Sequence, residues 1–516
     1  MKILVGPRRF ACAALHLTVA VLVAGCESGP TPVDPDDTGI SIVAGHPVTD
    51  TINAVVASLE VEVRGEDGDR LSGQTVLFEA GLDSAQRELT VLVGSTATAG
   101  YSASALGTTD ARGRASVRVR LGHRAGSGAV VISVPELGYT ARAQYTIAPG
   151  APARVVALLK DTAIYAGSSY RLRATVVDSW GNPRPDPVTY TAGAGPLSLA
   201  GGQVTGSAVG RGYVLARAEA WVDTAWVSVV PRGRIAAFRG RVAGPDTARL
   251  EIFELDGSDY LRFDVPSLSG GHPEWDPSGT AVLLEERVSS AEDGHIFALS
   301  PSGVRRRLVP ETLRLLGEGA PQTGQDGWIY FAADPGAGQG HTEIWRIRAD
   351  GTGAQRIGPS ATMYRGDFNP SPSPGGGRVA YGTNRDDCCD YATLRVLNLQ
   401  TGQTLQLGER VAYGSRDLYI CWSPVDEDRF AYGLAAPNTT SIFEKQLYEV
   451  HANGSGRRRI TPAGRTYRPE FDWSPDGRWL IARNFNSGEL ELIEVATGQI
   501  LPLAFSRGLG HPAWRP

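Results

Sequence analysis

Lysine is nearly missing from this 516-residue chain, standing only at Lys2, Lys160 and Lys445. None of the three follows a glycine, so the chain carries no phosphate-cradling P-loop. Arginine supplies the other positive charges, is scattered along the sequence, and leaves a formal net charge of −5. Scattered arginine reflects genomic base composition better than a phosphate-binding device. An acidic chain also lacks the basic face of a nucleic-acid binder, so no nucleic-acid partner is expected. Cysteine is scarce at five residues, and no pair has the spacing of a zinc site. His-Glu-x-x-His and Gly-x-Ser-x-Gly are both absent, which removes two common hydrolase signatures. No catalytic residue, metal or cofactor is expected from motifs.

Glycine and proline are plentiful, with 63 and 33 residues. Turns at that density favour β architecture, and the length exceeds what one core supports, so two to four domains are expected.

The N-terminus reads as a targeting segment. Lys2, Arg8 and Arg9 form a positive start, and Phe10 to Val23 form a mostly apolar stretch of signal-peptide length. That stretch is shorter than the roughly 20 apolar residues of a membrane span. It ends in Leu22-Val23-Ala24-Gly25-Cys26, which resembles the lipobox of bacterial lipoproteins. The resemblance implies a signal peptide over residues 1–25, cleavage after Gly25 and lipidation of Cys26, with the membrane as a partner through the acyl chains. Stable anchoring takes more than one chain at about 0.8 kcal/mol per buried CH₂. Glu27 gives no inner-membrane retention signal, which favours the outer membrane, at its periplasmic face or the cell surface. Residues 26–38, rich in proline and acid, read as a solvated tether.

Residues 39–149 show short alternating runs such as LEVEVRGEDGDR (59–70) and RASVRVRLG (114–122). Period-two alternation predicts antiparallel sheets with one buried face. Residues 150–231 repeat the scheme, from Tyr170-Arg-Leu-Arg-Ala-Thr-Val-Val177 to WVDTAWVSVVP. The turns GTTDARGRASVRV (107–119) and VVDSWGNPRPDPVTY (176–190) resemble bacterial immunoglobulin-like domains of the invasin and intimin type. That resemblance implies two spacer modules.

From residue 232 onward one motif recurs. Taking Trp275, Thr323, Pro372, Trp422, Trp473 and Trp514 as one slot, the spacings are 48, 49, 50, 51 and 41 residues. A second series of turns, at Gly257, Gly303, Gly351, Gly402, Gly454 and Gly498, runs in step. A period of about 40 to 50 residues with four short strands marks a β-propeller blade. WSPDGRWLIA (473–482) resembles the TolB-like, WD40-like six-bladed propeller family. TolB's preceding α/β domain has no counterpart here, so a role in the Tol system is not implied. Propeller peptidases carry a hydrolase domain that this sequence lacks. The expected architecture is all-β: two immunoglobulin-like β-sandwiches followed by a six-bladed β-propeller over 232–516. Its ring would close when GHPAWRP (510–516) joins the sheet that begins at Arg234.

Two groups of residues stand out as candidate sites. His272 and His511 share one slot, in HPEW and HPAW, and ring closure makes them neighbours at a channel mouth. Aligned on the following proline, other repeats place Ala320, Asn369 and Arg468 there, so the pair reads as lining a ligand pocket rather than as a metal set. Cys388, Cys389 and Cys421 leave an odd thiol whichever disulfide forms; a loop-to-strand bridge to Cys421 and a vicinal bridge are the alternatives. The expected function is envelope binding of a protein or glycan. An oligosaccharide lyase with a channel metal is the alternative, since some TolB-like propellers are pectic-oligosaccharide lyases.

Overall fold

The computed structural model describes residues 38–516 except 83–87, 98, 159–160, 240–246, 267–271, 287–293, 337–341, 361–365, 386–390, 409–411, 414–417, 438–440 and 442. Cys26, Cys388 and Cys389 lie outside the described residues. The chain is all-β, with only two single-turn 3₁₀ segments, Glu311–Leu313 and Ala504–Ser506, among the described residues. No helix there is long and apolar enough to cross a membrane.

Two compact units are formed: one extends to Ala151 and takes in Trp180–Asn182, and the other comprises the remainder. In the first unit, strands Gly39–Ala44, Val55–Arg64, Arg114–Leu121 and Val91–Ser95 form one sheet. Strands Val48–Thr51, Tyr139–Ala148, Gly126–Val134, Thr75–Ala80 and Ser104–Thr108 form a second. Val61, Val117 and Val119 from the first sheet meet Phe78, Ile132 and Tyr145 from the second in one core. Arg114–Leu121 alternates strictly between buried and half-buried residues, so its valines face inward while Arg118 and Arg120 face out.

The second unit begins with smaller sheets built from strands between Pro152 and Val230. Tyr170–Val177 does not run as one strand; it splits into Ser169–Arg171 and Ala174–Asp178, which belong to different sheets. The remainder is a β-propeller. Its sheets are antiparallel and repeat a four-stranded meander, as in Tyr467–Trp473, Trp479–Asn484, Leu490–Glu494 and Ile500–Leu503; extra strands and a shared pair at Lys445 and Tyr467 extend or join some of them. Each sheet stacks on the next through its own apolar cluster. Leu283 and Ile296 pack on Ile329 and Phe331; Ala380 and Val396 on Trp422 and Phe430; Ala431 and Leu447 on Phe471 and Trp473. The cycle ends where Ile481 and Leu492 meet Ile235, Phe253 and Trp514. A blade buries two faces only when both neighbours are present, so the ring is stable as a whole.

Local chemistry shapes the hairpin turns. In WSPDGRW the Ser474 hydroxyl accepts the Trp479 N–H at 2.9 Å and donates to Asp476 at 2.5 Å. Gly477 sits at φ 67°, and a Cβ there would come within 2.4 Å of Val425 Cγ2. The ring closes through strand Leu509–Trp514, which lies antiparallel to Arg234–Arg239 and pairs Trp514 with Ile235 and Ala513 with Ala236.

Candidate functional site

The inner strands carry the slot residues and meet around the axis of the ring. Trp275, Trp422, Trp473 and Trp514 are all buried. Two of them stitch neighbouring sheets: Trp473 Nε1 donates to the Cys421 carbonyl at 2.9 Å, and Trp275 Nε1 to the Ala513 carbonyl at 3.2 Å. Side chains one position before the slot complete the stitching. Ser371 Oγ accepts the Trp422 N–H at 2.8 Å, and Thr323 Oγ1 donates to Glu274 Oε1 at 3.0 Å.

These side chains form the floor of a funnel of about 150 Å³ on the Trp-Ser-Pro side of the propeller. Glu274, Gln322, Ser371, Cys421 and Asp472 supply polar groups, while Trp422, Trp473, Trp514 and several prolines form the walls. Gln322 Nε2 donates to the Tyr419 hydroxyl at 2.9 Å and the Ile420 carbonyl at 3.1 Å. Asp472 accepts the Trp473 N–H at 2.7 Å, the Trp514 N–H at 2.6 Å and the Cys421 thiol at 3.3 Å. Burial pushes the Asp472 carboxyl up to about 6 despite these donors. Burial and the neighbouring Asp472 push Glu274 well above the carboxylate range, so the pair holds a proton at neutral pH more readily than ordinary acids. Burial also drives the Cys421 thiol well up.

A second ring lies three positions before the slot. It consists of His272, Ala320, Asn369, Tyr419, Glu470 and His511. His272 and His511 are brought together with ring centroids 4.8 Å apart. His272 also stacks on Tyr419 at 4.2 Å, and His511 meets Phe238 edge-on at 6.5 Å. Burial, then the neighbouring His511, holds His272 well below the usual imidazole range. His511, Ala320 and Asn369 are left-handed, with φ of 52°, 49° and 48°. Pairing register shifts beside each of them, as expected of β-bulges that re-aim a side chain.

The expectation that Arg468 shares the histidine slot is corrected here. Arg468 instead lies over the rings of Phe443 and Phe485, at 5.4 and 5.1 Å. Glu470 takes the position, with Oε1 3.8 Å from His511 Nδ1. The segment Pro-Glu-Phe-Asp-Trp has two more residues between proline and tryptophan than Pro-Glu-Trp. Alignment on the proline therefore misses the slot by two, whereas counting back from the buried tryptophan reaches Glu470, and Tyr419 in the preceding repeat. Among the described residues Cys421 is a free, buried thiol aimed at Asp472.

Comparison with known proteins adds context. No family model matches the chain. Among solved structures, a TolB candidate from Agrobacterium tumefaciens aligns with 16% identity and a TM-score of 0.40, covering 51% of this chain and 89% of that one. A nidogen/laminin complex aligns with 12% identity and a TM-score of 0.37, covering 55% and 99%. An oligogalacturonate lyase in complex with manganese aligns with 12% identity and a TM-score of 0.33, covering 53% and 74%. In sequence, the uncharacterized protein Atu1656 of Agrobacterium fabrum is 33% identical over 228 residues, which is 41% of this chain and 72% of that protein. The chain belongs to the family of Atu1656.

Proposed function

We propose that this chain is a lipid-anchored envelope protein whose six-bladed propeller, carried on two immunoglobulin-like spacers, binds an envelope protein or glycan through the Trp-Ser-Pro funnel. The observation that carries the reading is the funnel itself. Apolar tryptophan and proline walls over a floor of Gln322, Ser371 and Asp472 match the composition of ligand sites, in which few polar groups orient a ligand against apolar surface. Gln325 sits at the mouth, with its side-chain amide donating to the Pro424 carbonyl at 2.7 Å.

The test uses the full mature chain against isolated envelope glycans and solubilised envelope proteins. A Gln325→Trp plug should lower binding at least tenfold while leaving thermal unfolding unchanged. Undiminished binding would remove the funnel from the reading. The anchor has its own test: Cys26→Ala should abolish palmitate labelling and release the protein from the outer-membrane fraction. Continued labelling of that variant would defeat lipidation at Cys26.

A second reading, an enzyme acting on an oligosaccharide with a lyase-like reaction and a channel metal, is favoured by one observation. His272, His511 and Glu470 converge on one point of the channel. Turnover of an unsaturated product from envelope or plant-type oligosaccharides, followed by ultraviolet absorbance, separates it from the binder.

A further inference from the structure

We propose that His272, Glu470 and His511 form a site for one divalent first-row transition ion, with zinc as the ion the donor set fits best. The site rests on these three side chains alone, and in the enzyme reading it would supply the channel metal.

Geometry comes first. Each residue offers one ligand atom, and the three atoms lie within 4.8 Å of one another. They project from three consecutive inner strands of the ring, those ending at Trp473, Trp514 and Trp275. An ion about 2.1 Å from each donor needs donors about 3.4 Å apart in a tetrahedral site. Glu470 and His511 already stand 3.8 Å apart, close to that spacing.

The chemistry agrees. Two imidazoles and one carboxylate suit zinc, manganese, iron or cobalt, whereas calcium and magnesium prefer all-oxygen shells. Among the described residues His511 Nδ1 is buried with no hydrogen-bond partner, a state that buried polar atoms rarely occupy and that a coordinated ion resolves. Tyr419 stacked on His272 fixes that ring's plane, the support a ligating imidazole needs. Three protein ligands leave coordination positions open, and Glu470 and His511 keep 16% and 28% of their side-chain surface exposed, so water or a ligand can reach the ion.

The deciding experiment is titration calorimetry on the tag-free mature chain after exhaustive chelator dialysis, with zinc, manganese and calcium chlorides in separate runs. One zinc per chain is expected at micromolar affinity or tighter, with calcium at least a hundredfold weaker, and zinc should raise the unfolding temperature. Glu470→Gln, nearly isosteric, and the His272→Ala/His511→Ala pair should each weaken zinc binding at least tenfold. Circular dichroism checks that they remain folded, and cobalt substitution gives a second readout through its visible absorption. Absence of stoichiometric zinc binding by the parent chain would overturn the site, as would full retention by folded Glu470→Gln and the histidine pair.

Discussion

The Trp514 backbone N–H donates to Asp472 Oδ2 at 2.6 Å, tying the strand that closes the ring to the inner strand of the preceding sheet. The same strand pairs with Arg234–Arg239 on its other side, so residues 509–514 are held by partners hundreds of positions upstream as well as by the adjacent repeat.

Removing that strand should therefore open the propeller rather than trim it. Deletion of residues 511–516 is expected to lower the unfolding temperature by many degrees and broaden the transition in differential scanning calorimetry. Trp514→Ala alone should cost about 3–5 kcal/mol, the usual range for emptying a buried aromatic site. Denaturant unfolding unchanged in both variants would contradict ring closure.

Acid-base behaviour at the funnel floor should shape stability. Asp472 titrates near 6 in the folded chain, against 3.8 for an ordinary aspartate. Its native pKa is raised, so the folded state binds the extra proton, and the stability this confers is complete below about pH 4. That contribution falls as pH rises through 4 to 6 and is gone above. Urea midpoints of metal-free protein should decline across this window, and Glu274→Gln, which removes the carboxylate facing Asp472, should flatten the decline. A midpoint that climbs from pH 4 to 6 would show that Asp472 does not hold the extra proton in the folded state.

Cys421 should be inert in the native state. Its thiol is buried, its ionisation is pushed well up, and it donates to Asp472. Because the thiolate is the nucleophile, iodoacetamide at pH 8 should modify Cys421 at least a hundredfold more slowly in folded protein than in urea. Mass-spectrometric mapping of the modified peptide separates it from Cys388 and Cys389. Rapid native labelling would place the thiol in solvent.

The β region before the propeller should melt with it. Tyr165 donates its hydroxyl to Glu254 at 2.6 Å, Ser228 donates to the Pro502 carbonyl at 3.0 Å, and Ala163 and Val230 share a core with Ile235 and Trp514. A fragment of residues 152–516 is expected to show one calorimetric transition. Tyr165→Phe should lower its stability by about 1.5–3 kcal/mol, the range for a hydrogen bond to a charged group. Two resolved transitions would show that the region is an independent domain.

Much of the propeller is legible in the sequence because its repeat is enforced locally. Each hairpin needs a residue of positive φ, and Gly257, Gly303, Gly351, Gly402, Gly454 and Gly498 all adopt one; glycine does so without steric cost. Four of the slot positions carry buried tryptophans that fill the gap to the neighbouring sheet, which makes the period visible, while Thr323 and Pro372 keep the spacing. Glu470 was hidden for the opposite reason. Its place is set by bulged inner strands whose residue count between proline and tryptophan varies, and only the buried tryptophan keeps the register.

The sequence by itself determines the all-β class, the repeat and the pairing of distant ends, since these follow from turn chemistry and period-two burial along the chain. The tertiary structure alone decides that Glu470 joins His272 and His511, that Tyr419 backs His272, and that Cys421 faces Asp472. These neighbours come from different blades, and which side chains meet at the axis depends on bulge positions and ring geometry that no local window of sequence encodes.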